Sequence, residues 1–247
     1  MTICSRKPAA HGPWAEIDRH ALGHNLEQVR ALAPGQRLWA VIKADGYGHG
    51  LLTAAAGLDQ ADGFAVARLP EALQLRAAGM RHPILLLEGV CDSEGLAIAA
   101  QQGLEVVLHH WPQVEWLCQA PPVPPVTVWI KMDSGMHRLG FSPAVVPEVL
   151  ARLEPCPGWV RPPRFLSHLA SADDREDPFT SHQYQRLQTL PEIARAELSL
   201  ANSAGLLGHP GLRHHGVRPG LMLYGISPFA GQIGQDHGLR PVMTLKA

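Results

Sequence analysis

The 247-residue sequence lacks the features that mark several large classes of protein. No apolar run approaches the ~18 residues that a membrane-spanning helix needs. The segment 1–13 carries charges but no apolar core, so we expect no signal peptide and a cytoplasmic location. The 21 basic and 22 acidic residues nearly cancel, and no block of like charge stands out. The sequence therefore predicts neither a nucleic-acid partner nor a membrane partner.

Disulfide and metal frameworks are also missing from the sequence. Cys4, Cys91, Cys118 and Cys156 lie far apart and form no Cys-x-x-Cys pair. We interpret them as reduced thiols of a cytosolic protein, which implies neither a disulfide scaffold nor a structural zinc site. The 14 histidines include no H-E-x-x-H motif. We therefore expect no bound metal and most histidines at the surface.

Short apolar strands alternate with helical segments along most of the chain. Asp18 is a suitable N-cap for a first helix, and further helices are predicted at 68–78, 92–102, 111–119 and 142–153. The eight predicted strands are 37–43, 62–67, 83–88, 104–108, 126–132, 163–168, 197–201 and 213–217. Eight strands alternating with helices in roughly 200 residues favour an α/β fold with parallel strands, a (β/α)8 TIM barrel. No G-x-G-x-x-G motif follows the first strand, which disfavours an open dinucleotide-binding sheet.

The first predicted strand ends at a lysine. Lys43 follows the apolar run 37–42 and precedes a loop, 45–50, that contains three glycines. A lysine that loses its hydration there is suited to form a Schiff base with an aldehyde cofactor. The alternative is a lysine whose ammonium group reaches water beyond the strand end. The glycine-rich loop and the phenol of Tyr47 favour the functional interpretation.

Polar side chains also follow four of the later strands. In a (β/α)8 barrel the C-terminal ends of the strands form one mouth, where active sites lie. The candidates at these ends are Lys43, Tyr47, Lys131, Arg138, His168, Asn202, Ser203 and Arg218. Each also has a structural interpretation as a solvated cation, a core histidine, a helix cap or a turn residue. Their order and their shared position at strand ends favour a single site.

Four segments, in this order, resemble those of a known family. The segment 40–50 (AVIKADGYGHG) closely resembles the lysine motif of bacterial alanine racemases, which are fold-type III pyridoxal-phosphate enzymes. The segments 131–140 (KMDSGMHRLG), 201–204 (ANSA) and 217–220 (VRPG) are similar to further motifs of that family. The resemblance runs from about Trp14 to the last residue.

The resemblance implies a cofactor and a reaction. Pyridoxal 5′-phosphate would be the cofactor, L- and D-alanine would be interconverted, and the D-alanine would serve as a peptidoglycan precursor. Lys43 would carry the cofactor as an internal aldimine and act as one of two racemisation bases. The residues implied to hold the cofactor phosphate are Tyr47, Ser203, Gly220 and Leu221, with Asn202 nearby.

The same resemblance gives roles to four more residues. His168 would contact the cofactor ring, and Arg218 would hydrogen-bond the pyridine nitrogen. Because arginine retains its proton, the ring nitrogen would stay unprotonated, which favours reprotonation at Cα over transamination. Arg138 would bind the cofactor phenolic oxygen or the substrate carboxylate. Lys131 would orient Arg138 when carbamylated.

The resemblance also implies a domain boundary. Residues 1–238 would form the cofactor-binding barrel and residues 239–247 the start of a second, mostly β domain. In the family that domain supplies a tyrosine as the opposite-face base and packs against the partner in a homodimer. Tyr47, Tyr184 and Tyr224 do not match the context of that tyrosine. We therefore expect a truncated alanine racemase that binds cofactor but racemises slowly or not at all, and we expect the homodimer for the full-length family only.

Three other functions are compatible with parts of the sequence. A barrel that only binds or carries pyridoxal phosphate shares the lysine but lacks the Tyr-Gly-His-Gly loop. A hydrolase that uses Lys43 and His168 without a cofactor predicts no absorbance in the visible range. A metal enzyme that uses Asp133, His137 and His168 has no ligand spacing in its favour.

Overall fold

The computed structural model describes residues 12–247, and eight of its strands close into a parallel barrel in the order β2 to β9. The ten strands of this region are β1 (Trp14–Ile17), β2 (Arg37–Val41), β3 (Gly63–Val66), β4 (Ile84–Leu86), β5 (Glu105–Leu108), β6 (Val126–Lys131), β7 (Trp159–Leu166), β8 (Leu198–Ser199), β9 (Gly216–Val217) and β10 (Met243–Lys246). Each predicted strand overlaps one barrel strand. The barrel prediction is confirmed.

Helices connect the strands and cover the barrel. They are α1 (Arg19–Leu32), α2 (Lys43–Tyr47), α3 (Leu51–Gly57), α4 (Leu69–Ala77), α5 (Ser93–Gln101), α6 (Trp111–Gln119), α7 (Val146–Leu153), α8 (Phe179–Gln188) and α9 (Ser203–Gly208). Asp18 caps α1, because its carboxylate accepts from the backbone N–H groups of His20 at 2.8 Å and Ala21 at 3.1 Å. The predicted helix 142–153 begins as a 3-10 turn, Pro143–Val145, before α7. The other predicted helices agree with α4, α5 and α6 to within one residue at each end.

The barrel has two apolar layers because successive side chains of a strand point to opposite faces. Inside, Trp39 and Trp129 meet edge to face with ring centroids 5.9 Å apart, surrounded by aliphatic residues of the other strands. Outside, residues such as Phe64 and Leu86 pack against the helices. The interior of the barrel is therefore a packed core.

A cluster of charges closes the N-terminal end of the barrel. The buried carboxylate of Glu105 accepts from the indole N–H of Trp129 and from Arg164, each at 2.6 Å, and from Arg37 at 3.4 Å. Glu197 pairs with Arg164 at 2.8 Å. These residues contribute to stability at the end of the barrel opposite the C-terminal ends of its strands.

Two strands lie outside the barrel sheet. β1 and β10 pair antiparallel, with Trp14 opposite Lys246, and an ion pair of 2.6 Å joins Lys246 to Glu16. β1, near the start of the described residues, thus pairs with β10, near their end. This ribbon of β1 and β10 was not predicted, because antiparallel pairing of segments more than 220 residues apart leaves no local signal.

The prediction of reduced cysteines is wrong for two of the four. Cys118 and Cys156 form a disulfide with their Cα atoms 4.9 Å apart, because the end of α6 packs beside the segment that follows α7. Cys91 is an exposed free thiol, and Cys4 lies outside the described residues. Within residues 12–247, no group of three or more His, Cys, Asp and Glu side chains could hold a metal ion. None of the described helices is long and apolar enough to cross a membrane.

Candidate active site

A cavity of about 410 Å³ opens at the C-terminal mouth of the barrel, within the usual size range of small-molecule sites. All ten residues singled out from the sequence line it: Lys43, Tyr47, Lys131, Arg138, His168, Asn202, Ser203, Arg218, Gly220 and Leu221. They come from five different strand ends. The structure thus brings the whole predicted set together, whereas the role of each residue stays a prediction.

Lys43 stands just beyond the strand and is half-buried. β2 ends at Val41, so the predicted strand 37–43 is two residues too long. After Lys43, the residues Ala44, Asp45, Gly46 and Tyr47 have φ angles of 52°, 54°, 61° and 54°. They form a left-handed turn, which costs roughly 1–2 kcal/mol for each residue other than glycine. Such strain persists only where the surroundings impose it, and it is typical of functional sites.

Two hydrogen bonds and one steric requirement define this left-handed turn. Asp45 Oδ1 accepts from the N–H of Leu51 at 2.7 Å, and Glu71 Oε1 accepts from the N–H of Ala44 at 2.7 Å. A side chain at Gly46 would meet the methyl group of Ala54 at 2.9 Å, so glycine is required. The sequence analysis missed Glu71. The available signal was a glutamate at the third position of the helix that follows the second barrel strand.

Tyr47, Ser203 and Gly220 form one wall of the cavity. Ser203 Oγ accepts from the N–H groups of Gly220 at 3.0 Å and Met222 at 3.2 Å. A Cβ atom at Gly220 would lie 2.5 Å from the hydroxyl oxygen of Tyr47. The Tyr47 ring packs on Tyr224 with centroids 4.9 Å apart, and burial raises the pKa of its phenol. The missing side chain at Gly220 thus lets Tyr47 and the backbone meet.

Asn202 and Leu221 border this wall. Asn202 caps α9 through a hydrogen bond of 2.9 Å from the N–H of Gly205, as the predicted helix cap requires. Leu221 begins a 3-10 turn and is 37% exposed at the mouth of the cavity. Both therefore lie beside the Ser203–Gly220 contact.

Arg218 is buried and has no carboxylate partner within residues 12–247. Its guanidinium donates to Ser199 Oγ and to the carbonyl oxygens of Ser167 and Leu200. Burial lowers its pKa to about 10, which still leaves it charged near neutral pH. A guanidinium has five N–H groups, and the three hydrogen bonds named above do not use all of them. N–H donors therefore remain for a ligand.

Lys131 and His168 share the electrostatic environment of Arg218. Burial, followed by the charges of Arg218, Arg138 and Lys43, lowers the pKa of Lys131 to about 8. Burial and the same cations together with Lys131 lower the pKa of His168 to about 3. His168 is therefore a neutral ring at physiological pH, and Lys131 is a lysine with an appreciable neutral fraction.

The cavity carries an excess of positive charge. Four lining side chains are cations and two, Glu88 and Asp173, are acids. None of the ion pairs in the described part of the chain includes any of the four cations. Unpaired cations, a hydroxyl–backbone cradle at Ser203 and Gly220, and a neutral ring suit a ligand with a phosphate group and an aromatic ring.

The structure does not bring the three proposed metal ligands, Asp133, His137 and His168, together in the cavity. Asp133 accepts from the ring nitrogen and from the backbone N–H of His137, both at 3.0 Å. The His137 side chain is 77% exposed, and only His168 of the three proposed ligands lines the cavity. The Asp133–His137 pair instead shapes the loop that leads to Arg138.

This fold and this site define a class: parallel (β/α)8 barrels with a lysine and a cluster of cations at the C-terminal mouth. Residues 17–228 match the profile of the family described as "Alanine racemase, N-terminal domain". The chain belongs to that family.

Curated relatives and solved structures agree with this membership. The chain is 46% identical over 233 residues to an alanine racemase of Shewanella woodyi and 50% identical over 236 residues to one of Nitrosococcus oceani. These matches cover 94% and 95% of this chain. The crystal structure of a biosynthetic alanine racemase from Pseudomonas aeruginosa superposes with a TM-score of 0.89 at 41% identity, over 94% of this chain and 65% of that chain.

The matched region is only part of each relative. The chain spans 65% of the length of both the Shewanella and the Nitrosococcus proteins. The structure of an alanine racemase from Acinetobacter baumannii superposes with a TM-score of 0.85 at 37% identity. That match covers 94% of this chain and 68% of the Acinetobacter chain.

Proposed function

We propose that this chain supplies the cofactor-binding and substrate-binding barrel of a pyridoxal-phosphate-dependent alanine racemase, an isomerase acting on L- and D-alanine. The single observation that carries the proposal is the convergence of Lys43, Arg218 and the Ser203–Gly220 wall on one cavity. Family membership and relatives named alanine racemase support it. The alternative of a non-catalytic pyridoxal-phosphate carrier shares the cofactor prediction and differs only in the reaction.

The residues present fit the cofactor. The Ser203 hydroxyl accepts from the N–H groups of Gly220 and Met222, so its own hydrogen can be donated to a phosphate. The Tyr47 hydroxyl offers a second donor in the space that a Cβ atom at Gly220 would take. The buried Arg218 has donors to spare and no counter-ion. We assign the phosphate to the wall of Tyr47, Ser203, Gly220 and Leu221, the ring to His168, and the ring nitrogen to Arg218.

Pyridoxal phosphate, when bound, withdraws electrons from the substrate Cα and so makes its proton removable. The chain's own residues then have defined tasks. Lys43 holds the cofactor aldehyde and moves the Cα proton on one face. Arg138, an exposed cation on the loop after β6, binds the substrate carboxylate or the cofactor phenolic oxygen. Arg218 stays protonated, because its pKa of about 10 lies well above neutral pH.

The second proton-carrying group is not evident among the tyrosines. Tyr224 is buried and donates to the carbonyl of Val41 at 3.2 Å. Tyr184 packs against His214 with ring centroids 5.2 Å apart. Tyr47 lines the cavity, but we assign it to the phosphate. We propose that Lys43 serves one face of Cα and that a group outside this chain serves the other.

We also propose that Lys131 is carbamylated. Its pKa of about 8 provides neutral amine near physiological pH, and the neutral Nζ can add to the carbon of CO2 with loss of one proton. The product is an anion, which the cations Lys43, Arg138 and Arg218 attract, whereas they repel the protonated amine of Lys131. A carbonyl signal in the ¹³C NMR spectrum after addition of ¹³C-bicarbonate should appear in the parent chain and disappear in Lys131→Met. A mass increase that is lost on acidification tests the same adduct.

The cofactor proposal is tested by reduction with borohydride. The chain is incubated with pyridoxal phosphate, reduced and digested, and labelled peptides are identified by mass spectrometry. We expect an absorbance band near the visible edge and a label on Lys43, both absent in Lys43→Ala. Lys246→Ala, at an exposed lysine paired with Glu16, is the control and should behave as the parent. Labelling spread over other lysines, or none in folded protein, would contradict the proposal.

The one-base proposal is tested in heavy water. The loaded chain is incubated with each enantiomer of alanine, and deuterium at Cα and the enantiomeric ratio are measured separately. We expect exchange of the Cα proton in one enantiomer with retention of configuration, and racemisation slower by orders of magnitude. Equal rates of exchange and racemisation would show a second base within this chain. No exchange despite Lys43 labelling would favour the carrier alternative.

Four broader predictions belong to this proposal. They are supply of D-alanine for peptidoglycan, a cytoplasmic location, a homodimer for the full-length family, and the start of a second domain at residues 239–247. The position of β10 outside the barrel sheet supports the domain boundary. Cell fractionation, light scattering and complementation of a D-alanine-requiring strain test the others.

A further inference from the structure

Gln183 of α8 is fully buried, and its amide contacts two active-site loops. Its Oε1 accepts from the backbone N–H of Ala170 at 2.8 Å, and its Nε2 donates to the carbonyl of His168 at 3.0 Å. The same Nε2 donates to Ser134 Oγ at 3.1 Å. One side chain thus bridges the loop after β7, which carries His168, and the loop after β6, which carries Arg138.

A chain of hydrogen bonds extends this contact to Arg218. Ser134 Oγ lies 3.0 Å from Ser167 Oγ, which donates to the carbonyl of Met132 at 2.7 Å. The carbonyl of Ser167 in turn accepts from the guanidinium of Arg218. Ser134, Ser167 and Gln183 are all buried, so each lost contact leaves a polar group without water.

The fit between α8 and the Arg138 loop is close. Arg186, one turn after Gln183, donates to the carbonyl of Ser134 at 3.2 Å. A side chain at Gly135 would lie 2.9 Å from both Arg186 and Phe179. The loop therefore rests against α8 over several residues, and Gln183 provides the buried polar contact at its centre.

We infer that Gln183 is a positioning residue of the site, which holds the loops of His168 and Arg138 in register with Arg218. It lines no part of the cavity and acts only through these loops. The inference rests on the proposed function for its effect on cofactor binding, but its effect on the loops is independent of that function.

The test uses two variants and a matched control. Gln183→Met keeps the side-chain length and removes all three hydrogen bonds. Ser134→Ala removes the contact of Gln183 with the Arg138 loop, together with the hydrogen bond between Ser134 and Ser167, and leaves the bonds of Gln183 to Ala170 and His168. Thr180→Val is the control, because Thr180 lies on the same helix, is equally buried, and its hydroxyl has no hydrogen-bond partner within residues 12–247.

Hydrogen–deuterium exchange is measured without cofactor, and cofactor affinity is measured by absorbance titration. In Gln183→Met we expect exchange in 132–140 and 166–172 to be about tenfold faster, because a tenfold change corresponds to the free energy of roughly one hydrogen bond. Exchange in β5 should be unchanged. We expect the Kd for pyridoxal phosphate to rise about tenfold. Ser134→Ala should raise exchange in 132–140 more than in 166–172, because the bonds from Gln183 to Ala170 and His168 remain. Thr180→Val should match the parent.

Three outcomes overturn the inference. The first is that both loops of Gln183→Met exchange at the rate of the parent chain. The second is that Gln183→Met binds the cofactor more weakly although the exchange rates of its loops are unchanged. The third is that exchange rises equally throughout the barrel in Gln183→Met and Thr180→Val. If Gln183→Met does not fold, unchanged exchange of 132–140 in Ser134→Ala also overturns it. Absence of cofactor binding in the parent would refute the proposed function and leave the exchange test valid.

Discussion

The carboxylate of Glu71 accepts a hydrogen bond of 2.7 Å from the backbone N–H of Ala44, the residue that follows Lys43. Its second oxygen accepts from the N–H groups of Ala67 at 2.8 Å and Arg68 at 3.1 Å. A single side chain thus caps the start of α4 and holds the left-handed turn that begins at Lys43. Helix capping and support of the strained turn depend on the same group.

Glu71→Ala should therefore destabilise both the helix and the turn. We expect a loss of about 2 kcal/mol in the free energy of unfolding, because three N–H groups lose a charged acceptor. Borohydride labelling of Lys43 should fall as well. Glu94→Ala is the control, since Glu94 also lies in the first turn of a barrel helix, α5. Urea unfolding and peptide mass spectrometry measure the two effects, and parental labelling in Glu71→Ala would contradict the prediction.

Gly220→Ala tests the contact between the backbone and Tyr47. The new methyl group would lie 2.5 Å from the Tyr47 hydroxyl, so one of them must move. We expect a loss of about 2 kcal/mol in stability and a strong loss of cofactor affinity. The control is Gly211→Ala, because nothing lies within 4 Å of a Cβ at Gly211. Equal cofactor affinity in the two variants would be the contrary result.

Lys131→Met should stabilise the cofactor-free chain at pH 7. The pKa of Lys131 is lowered from 10.5 to about 8, so charging it costs more in the folded state than in the unfolded state. The resulting penalty, about 3 kcal/mol, is complete below pH 8 and disappears as the pH rises toward 10.5. Urea unfolding should therefore show a gain for Lys131→Met at pH 7 that shrinks at pH 9.5.

This experiment is carried out in bicarbonate-free buffer so that carbamylation does not remove the charge. Lys246→Met is the control, since Lys246 pairs with Glu16 at the surface and should change stability by less than about 1 kcal/mol. A gain that is the same at both pH values would show that packing, and not the charge of Lys131, is responsible.

Glu105→Gln should lower the stability of the barrel without changing its affinity for the cofactor. The carboxylate faces Arg37 and Arg164 at the closed end of the barrel, and removing its charge leaves two cations with less compensation. We expect a loss of about 3 kcal/mol in the free energy of unfolding and an unchanged Kd for pyridoxal phosphate. Glu115→Gln breaks a surface pair with Arg152 and should cost less than about 1 kcal/mol. A changed Kd in Glu105→Gln would contradict the assignment.

The residues that line the cavity could be found from the sequence for a simple reason. Parallel strands that alternate with helices must place all their C-terminal ends on one side, so residues such as Lys43, His168 and Arg218 converge whatever the details of packing. Local patterns also located α4 to α6 and the cap at Asp18. The family's motifs added Gly220 and Leu221, which no residue pattern singled out.

Other features depend on contacts between distant segments and escaped prediction. Residues that are 38 positions apart form the Cys118–Cys156 disulfide, and residues at opposite ends of the chain form the ribbon of β1 and β10. Gln183 was not singled out from the sequence, and only its packing against two loops shows why it is buried. The left-handed φ values of the turn after Lys43 had no signal beyond its glycines.

The sequence by itself determined which chemical groups are present and, through the alternation of strands and helices, that they meet at one mouth. Tertiary structure alone decided their electrostatic state and their support. The lowered pKa of Lys131 arises from burial beside cations that are 7 to 88 residues away along the chain. The supporting bonds of Glu71 and Gln183 likewise join segments that only the closed barrel brings within hydrogen-bond distance.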